Sequence, residues 1–370
     1  MIPVNTPKLD GNEEKYLLEC IRTGWISSEG PFVSRFEKEF SAYIGKKYGI
    51  AVANGSGALD IAVKSIGITS GDEVIMPTFT IISPAQSVVR QGGIPVLVDS
   101  DPDTWNMDVS QIEQKITVKT KAILVVHIYG LPVDMRPVID IALRYNLKII
   151  EDAAEMHGQT YNGEKCGSFG DISIFSFYPN KHVTTGEGGM LLTDDHFLAE
   201  RCREYRNLCF QPKRRFMHED LGWNYRMTNL QAALGIAQLE RIDWAVKRKR
   251  EIGSLYNKYL SGIRGYQLSL QTTDYAENIY WVYGVISEED APISAQEIQK
   301  KLAEKKIGTR PFFWCMHEQP VFNKMGLFLN EHYPVAEHMA RNGFYLPSGL
   351  GITDDEIKLV SEELRKTVNH

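Results

Sequence analysis

The chain has 370 residues, with 41 Lys+Arg against 47 Asp+Glu and a formal net charge of −6. That length suits about two domains, and the mild acidity disfavours sequence-independent binding to nucleic acid, which needs a clustered basic face. Apolar residues at 43% and charged residues at 24% support a packed core, and no apolar run approaches the ~20 residues of a membrane span.

In chain order, the start Met1-Ile2-Pro3-Val4-Asn5 lacks the charged and apolar regions of a secretory signal. Short apolar runs predict strands at residues 50–52, 73–76, 95–98, 122–126, 148–150, 172–175 and 190–192. Most are continuously apolar and do not alternate, which suits strands covered on both faces and hence a largely parallel sheet flanked by helices. Helices are expected at 58–66, after the Gly55-Ser56-Gly57 turn, and at 137–145, with Pro137 in the first turn. A long helical tract is expected over 229–260, capped by Thr228 or Asn229. Its basic run Lys247-Arg248-Lys249-Arg250 is expected to be a solvated helix face. Beyond about residue 250 a strand at 281–286 and helices at 295–305 and 355–368 break the strict alternation. The expected organisation is α/β, with a large domain over 1–250 and a smaller α+β domain over 251–370. The five cysteines form no C-x-x-C and are odd in number, so reduced thiols of a cytoplasmic protein are expected, without a disulfide framework or a metal site.

Three segments carry chemistry. Asn54-Gly55-Ser56-Gly57 joins a strand to a helix, and the backbone N–H groups of such a helix start form an anion site. It has neither G-x-G-x-x-G spacing nor a Walker lysine, which disfavours a nicotinamide dehydrogenase or a P-loop. Glu151-Asp152-Ala153-Ala154-Glu155 puts acids at the carboxyl end of a buried strand, where α/β sheets bind ligands, although an ion pair with a neighbouring loop would also account for them. Lys181 follows Ser176 by five residues and precedes Gly186-Glu187-Gly188-Gly189. Alone it could be a surface-loop lysine. Together the three describe a phosphate cradle, a buried acid and an amine, the groups that pyridoxal 5′-phosphate requires.

In order along the chain, Trp25-Ile26-Ser27-Ser28, Asn54-Gly55-Ser56, Pro77-Thr78-Phe79-Thr80, His127-Ile128-Tyr129-Gly130, Glu151 to Glu155, Ser176 to Lys181 and Asn224-Tyr225-Arg226-Met227-Thr228-Asn229 form one pattern, completed by Thr309-Arg310-Pro311 and His317. On these motifs the chain resembles the DegT/DnrJ/EryC1/StrS nucleotide-sugar aminotransferases, a branch of the fold-type I pyridoxal-phosphate enzymes. Within that family it is most similar to the GDP-perosamine synthases. The resemblance implies transfer of an amino group from L-glutamate to C4 of a nucleotide-linked 4-keto-6-deoxy sugar, GDP-4-keto-6-deoxy-D-mannose in that branch. The rival readings are a UDP- or dTDP-linked keto-sugar as acceptor, or a non-catalytic cofactor-binding protein.

Carried over by position, Lys181 is the amine joined to the cofactor and Asp152 the partner of its ring nitrogen, held in the ionised form by that pairing. Glu155 lies near the ring hydroxyl, Ala154 against a ring face, and Gly55, Ser56 and Ser176 around the phosphate. Asn224 reaches the phosphate of a neighbouring subunit, which implies a homodimer with shared active sites. Trp25, Ser27, His127, Arg226, Arg310 and His317 are implied on the substrate side. The chain departs from the family at Ile81, where many relatives carry an aromatic that stacks on the ring, and at Tyr178-Pro179, before the lysine. A sister group of dehydratases replaces the lysine with histidine; here the lysine is present and His182 is shifted by one.

Overall fold

The computed structural model describes residues 1–211 and 213–369. Its elements run α1 (Glu13–Thr23), α2 (Pro31–Ile44), β1 (Tyr48–Val52), α3 (Gly55–Ser65), β2 (Glu73–Pro77), α4 (Ser83–Arg90), β3 (Ile94–Val98), β4 (Thr120–Val126), α5 (Met135–Tyr145), β5 (Lys148–Asp152), β6 (Thr160–Tyr161), β7 (Glu164–Lys165), β8 (Ile172–Ser176), β9 (Gly189–Thr193) and α6 (His196–Arg206). They continue with α7 (Asn229–Leu239), α8 (Ile242–Leu260), β10 (Tyr266–Leu268), β11 (Tyr283–Ser287), α9 (Ala295–Glu304), β12 (Arg310–Pro311), α10 (Pro320–Lys324), α11 (Pro334–Asn342), β13 (Gly343–Leu346) and α12 (Asp354–Val368).

Seven strands form the central sheet in the order β1-β9-β8-β5-β4-β2-β3. The β5–β8, β4–β5, β2–β4 and β2–β3 pairs are parallel, and β9 is antiparallel to both β8 and β1. Only β9 is therefore reversed, and the carboxyl ends of β1, β8, β5 and β4 share one edge. The apolar runs divide between two cores. Val74, Met76, Leu124 and Ile150 face one side, and Ile75, Ile123, Val125 and Ile149 face the other. Burial of both faces is why these strands do not alternate in polarity. A four-stranded antiparallel sheet, β10-β11-β13-β12, lies wholly beyond residue 265 and packs with α8, α9 and α12 around a third core.

Two local expectations need correction. The tract over 229–260 is two helices. Thr228 does cap the first, in a capping box with Gln231, but the helix stops at Leu239 and restarts at Ile242. Nor is the basic run simply a solvated face: Lys249 is buried at 2% exposure. Among the described residues no helix is long and apolar enough to cross a membrane.

Candidate active site

The sheet edge formed by the strand ends borders a cavity of about 300 Å³. Asp152 ends β5, Ser176 ends β8, and the α3 N-terminus follows β1 directly. Asn54 caps α3, its side chain accepting from the Gly57 N–H at 2.7 Å. That leaves the first N–H groups of the helix facing the cavity, with Gly55 and Ser56 among its walls. A Cβ on Gly55 would meet the Ser176 Cβ at 2.8 Å, so only glycine lets α3 approach β8 this closely. Ser56 Oγ and Ser83 Oγ lie 2.8 Å apart at the same end.

Lys181 enters the cavity with a side chain 9% exposed, its Nζ 3.8 Å from Glu155 Oε1. Burial lowers its pKa, against the opposing pull of Glu155 and Asp152. Asp152 accepts one backbone bond, from Ala154 N at 3.0 Å. Burial pushes its pKa up to about 6, outweighing that bond and the nearby Lys181. In the chain alone, then, the pairing expected to favour its ionised form is outweighed by desolvation. Glu155 accepts from Tyr129 N at 2.8 Å and is pushed up to about 8 by burial. Two further polar atoms at the cavity, Thr80 Oγ1 and Asn180 Oδ1, are buried without a hydrogen-bond partner.

The residues present fit pyridoxal phosphate. A half-paired buried carboxylate suits a cationic ring nitrogen. A helix start with three serine hydroxyls suits a phosphate. The partnerless Thr80 and Asn180 atoms mark places where a polar ligand would be bound.

Of the residues singled out from sequence, Gly55, Ser56, Ile81, Asp152, Ala154, Glu155, Ser176 and Lys181 line this one cavity. Ile81 is 48% exposed at its mouth. The others fall elsewhere. His127 is wholly buried, and both its nitrogens are engaged, Nε2 with Glu151 at 3.1 Å and Nδ1 with Val133 N at 3.0 Å. It is not among the cavity walls, and its hydrogen bond to Glu151 braces the end of β5. His317 is likewise engaged, with Thr78 Oγ1 at 2.8 Å and Glu337 Oε1 at 3.1 Å, and it lines a different surface cleft. Trp25 and Ser27 belong to an exposed loop whose carbonyls accept from Asn229, from Nδ2 at 2.8 Å and from N at 2.7 Å. Asn224 and Arg226 lie outside the cavity and bond to each other at 2.9 Å. Arg310 lines a neighbouring cleft that shares Tyr178, Asn180, Trp281 and Tyr345 with the cavity. His182 points away, bonded to His157 O at 3.1 Å.

The cavity also has walls that no sequence motif indicated: Trp281, Phe313 and Tyr345, all from beyond residue 250. The Trp281 ring centroid lies 3.9 Å from Lys181 Nζ. Its aromatic neighbours in sequence suggest only a buried strand, and its place beside the lysine follows from the docking of the second sheet.

Comparison with known proteins agrees with this geometry. The model of the DegT/DnrJ/EryC1/StrS aminotransferase family matches residues 7–365. The GDP-perosamine synthase of Escherichia coli O157:H7 is 40% identical over 365 residues, covering 99% of this chain and 98% of the relative. A putative pyridoxal phosphate-dependent aminotransferase of Bacillus subtilis, EpsN, is 33% identical over 370 residues, covering 98% and 95%. In fold, the chain superposes on the Helicobacter pylori aminotransferase PseC with a TM-score of 0.94 at 22% identity, covering 100% and 99%. The cavity with its lysine and acids, the sheet that carries them and the match along nearly the whole chain agree: this chain belongs to the DegT/DnrJ/EryC1/StrS aminotransferase family.

Proposed function

We propose that the protein is a pyridoxal phosphate-dependent aminotransferase that moves an amino group from L-glutamate to C4 of GDP-4-keto-6-deoxy-D-mannose, giving GDP-perosamine. The observation that carries the chemistry is the convergence of Lys181, Asp152 and Glu155 in one cavity beside the α3 N-terminus. The choice of sugar is supported by full-length likeness to a GDP-perosamine synthase.

When bound, pyridoxal phosphate supplies a carbonyl carbon that carries amino groups between substrates and a ring that accepts electron density. Asp152 would hold the ring nitrogen, and the α3 start with Ser56, Ser83 and Ser176 would hold the phosphate. Burial lowers the pKa of Lys181, which favours the neutral amine that the chemistry requires. That amine takes the proton from the α-carbon of the amino donor and later delivers one to C4 of the acceptor sugar. Glu155, with its raised pKa, stands 3.8 Å away and can share that proton. Trp281, Phe313 and Tyr345 close the second-sheet side and exclude water from the amine.

We infer further that the enzyme is a homodimer in which Asn224, exposed and away from its own cavity, serves the cavity of a second copy. Exposed Trp25, Ile26, Phe216, Met217 and Leu221 support such an interface. The five free, buried cysteines suit the cytoplasm.

The deciding experiment incubates the chain with glutamate and a panel of GDP-, UDP- and dTDP-linked keto-sugars, followed by mass spectrometry. Amino-sugar product from GDP-4-keto-6-deoxymannose is expected. Product only from another nucleotide replaces the sugar assignment, and no product with any of them rejects the activity.

A further inference from the structure

Helix α8 directs one lysine into the molecule. Lys249 Nζ donates to Trp281 O at 2.8 Å and to Ser348 O at 2.5 Å. Among the described residues no carboxylate pairs with it. An amine buried without a counter-ion is costly, and an apolar side chain of the same length would pack there more favourably. What the lysine gains is a fixed position for two carbonyls. Trp281 lies two residues before the start of β11, and Ser348 two residues after the end of β13, where its Oγ accepts from Tyr283 N at 3.3 Å.

The fixed carbonyl belongs to the tryptophan beside the candidate reactive amine. Trp281 Nε1 donates to Asn180 O at 3.0 Å, and its ring lies 3.9 Å from Lys181 Nζ. Three contacts thus join Lys249, Trp281 and the Asn180–Lys181 turn in series. We propose that Lys249 is a positioning residue that holds the Trp281 ring against Lys181 and so sets how far that amine is shielded from water. The proposal rests on Lys181 being the reactive amine.

Asp152 and Glu155 favour the charged form of Lys181, and the buried His157 and His182 lie near enough to feel its charge. His182 also faces Lys249. Burial is the largest influence on Lys181, and of the aromatic walls beyond residue 250 Trp281 is the one whose ring lies over its Nζ. Loosening the ring admits water, which favours the charged amine, and removes the attraction of the indole face for an ammonium, which opposes it; because burial is the largest influence on Lys181, the gain of water sets the sign.

The test follows acetylation of Lys181 by acetic anhydride across pH, read by peptide mass spectrometry, in the cofactor-free full chain. Lys249→Met is expected to raise the pH midpoint of Lys181 by about half a unit, about threefold slower modification at neutral pH. Trp281→Ala should raise it at least as far, and the double variant no further than Trp281→Ala alone. A Lys249→Met chain that melts earlier but keeps the wild-type midpoint, or shifts that simply add, overturns the proposal. If Lys249→Met does not fold, Lys249→Gln, which keeps a donor, takes its place with a smaller shift expected and the same overturning results. Borohydride reduction after adding pyridoxal phosphate tests the underlying function separately: no adduct on Lys181 rejects that function, while the acetylation profiles still decide the role of Lys249.

Discussion

Glu151, Asp152 and Glu155 are buried within five residues at one strand end, yet their surroundings give them different work. Glu151 accepts from Phe169 N at 2.8 Å, Gly170 N at 3.0 Å, Ser173 Oγ at 3.0 Å and Gly167 N, and meets His127 at 3.1 Å. Burial pushes its pKa up, but His127 and these N–H groups outweigh that and leave it below the usual carboxylate range. Glu151 is thus a fully satisfied structural anion. Glu151→Ala should cost about 3–5 kcal/mol in urea unfolding, because several buried donors lose their acceptor together. Glu155 has the opposite balance. Its folded-state pKa of about 8 lies above the unfolded value, so its contribution to stability is fully present below about pH 4.5 and is lost as pH rises through 8. The melting temperature of cofactor-free Glu155→Gln should therefore gain on that of the wild type from pH 5 to 8.5; a constant difference would show that Glu155 ionises normally. For the chemistry itself, Lys181→Ala should lose about 10²–10⁴-fold or more in turnover, the usual worth of a positioned proton carrier, while still binding pyridoxal phosphate noncovalently.

At the scale of elements, two glycines separate the support of the site from the support of the fold. On α7, a Cβ at Gly235 would lie 2.6 Å from the Phe36 ring of α2. Gly235→Ala adds helix propensity of up to about 1 kcal/mol but overpacks this contact, and a net loss of about 1–2 kcal/mol is expected, with cofactor affinity unchanged. Gly55→Ala instead forces α3 away from Ser176, so titration should show cofactor binding weakened by about tenfold, about 1.4 kcal/mol. Equal effects of the two substitutions on affinity would refute the assignment of the α3 start to the phosphate. The break between α7 and α8 is also a matter of partners. Glu240 and Arg241 are good helix formers, but Glu240 is drawn to Asn12, Tyr16 and Arg35, and Arg241 to Asp10, all from the first 35 residues. Those contacts turn the chain where its local preference is to continue.

At the scale of the molecule, the proposed catalytic groups lie at one edge of the central sheet, and their aromatic cover comes from the part of the chain that builds the second. The proposed dimer would add a third contribution through Asn224. Leu221→Glu, which puts a charge on an exposed apolar position beside Asn224, should convert a dimer to a monomer in light scattering and reduce turnover together with it. An intact dimer with reduced turnover would place the interface elsewhere.

The strands were legible because each stretch of the central sheet is apolar on both faces, a property held within five or so residues. Asp152, Ser176 and the Gly55 turn were legible for the same reason, since each lies at or just past the end of such a stretch, and Lys181 follows in the loop after Ser176. The burial of His127 was not legible, because a polar residue in a motif looks the same whether it meets substrate or, as here, hydrogen-bonds a buried carboxylate. Lys249 misled because three basic neighbours concealed the one that turns inward. Sequence alone thus determined the strands of the sheet, some of its helices and the chemical groups along its edge. Only the tertiary structure decided how strongly each carboxylate and amine is desolvated, that Trp281 covers Lys181, and that Lys249 secures it. The physical reason is range: periodicity and capping depend on neighbours a few residues away, whereas the solvation of a buried charge depends on atoms contributed from distant parts of the chain.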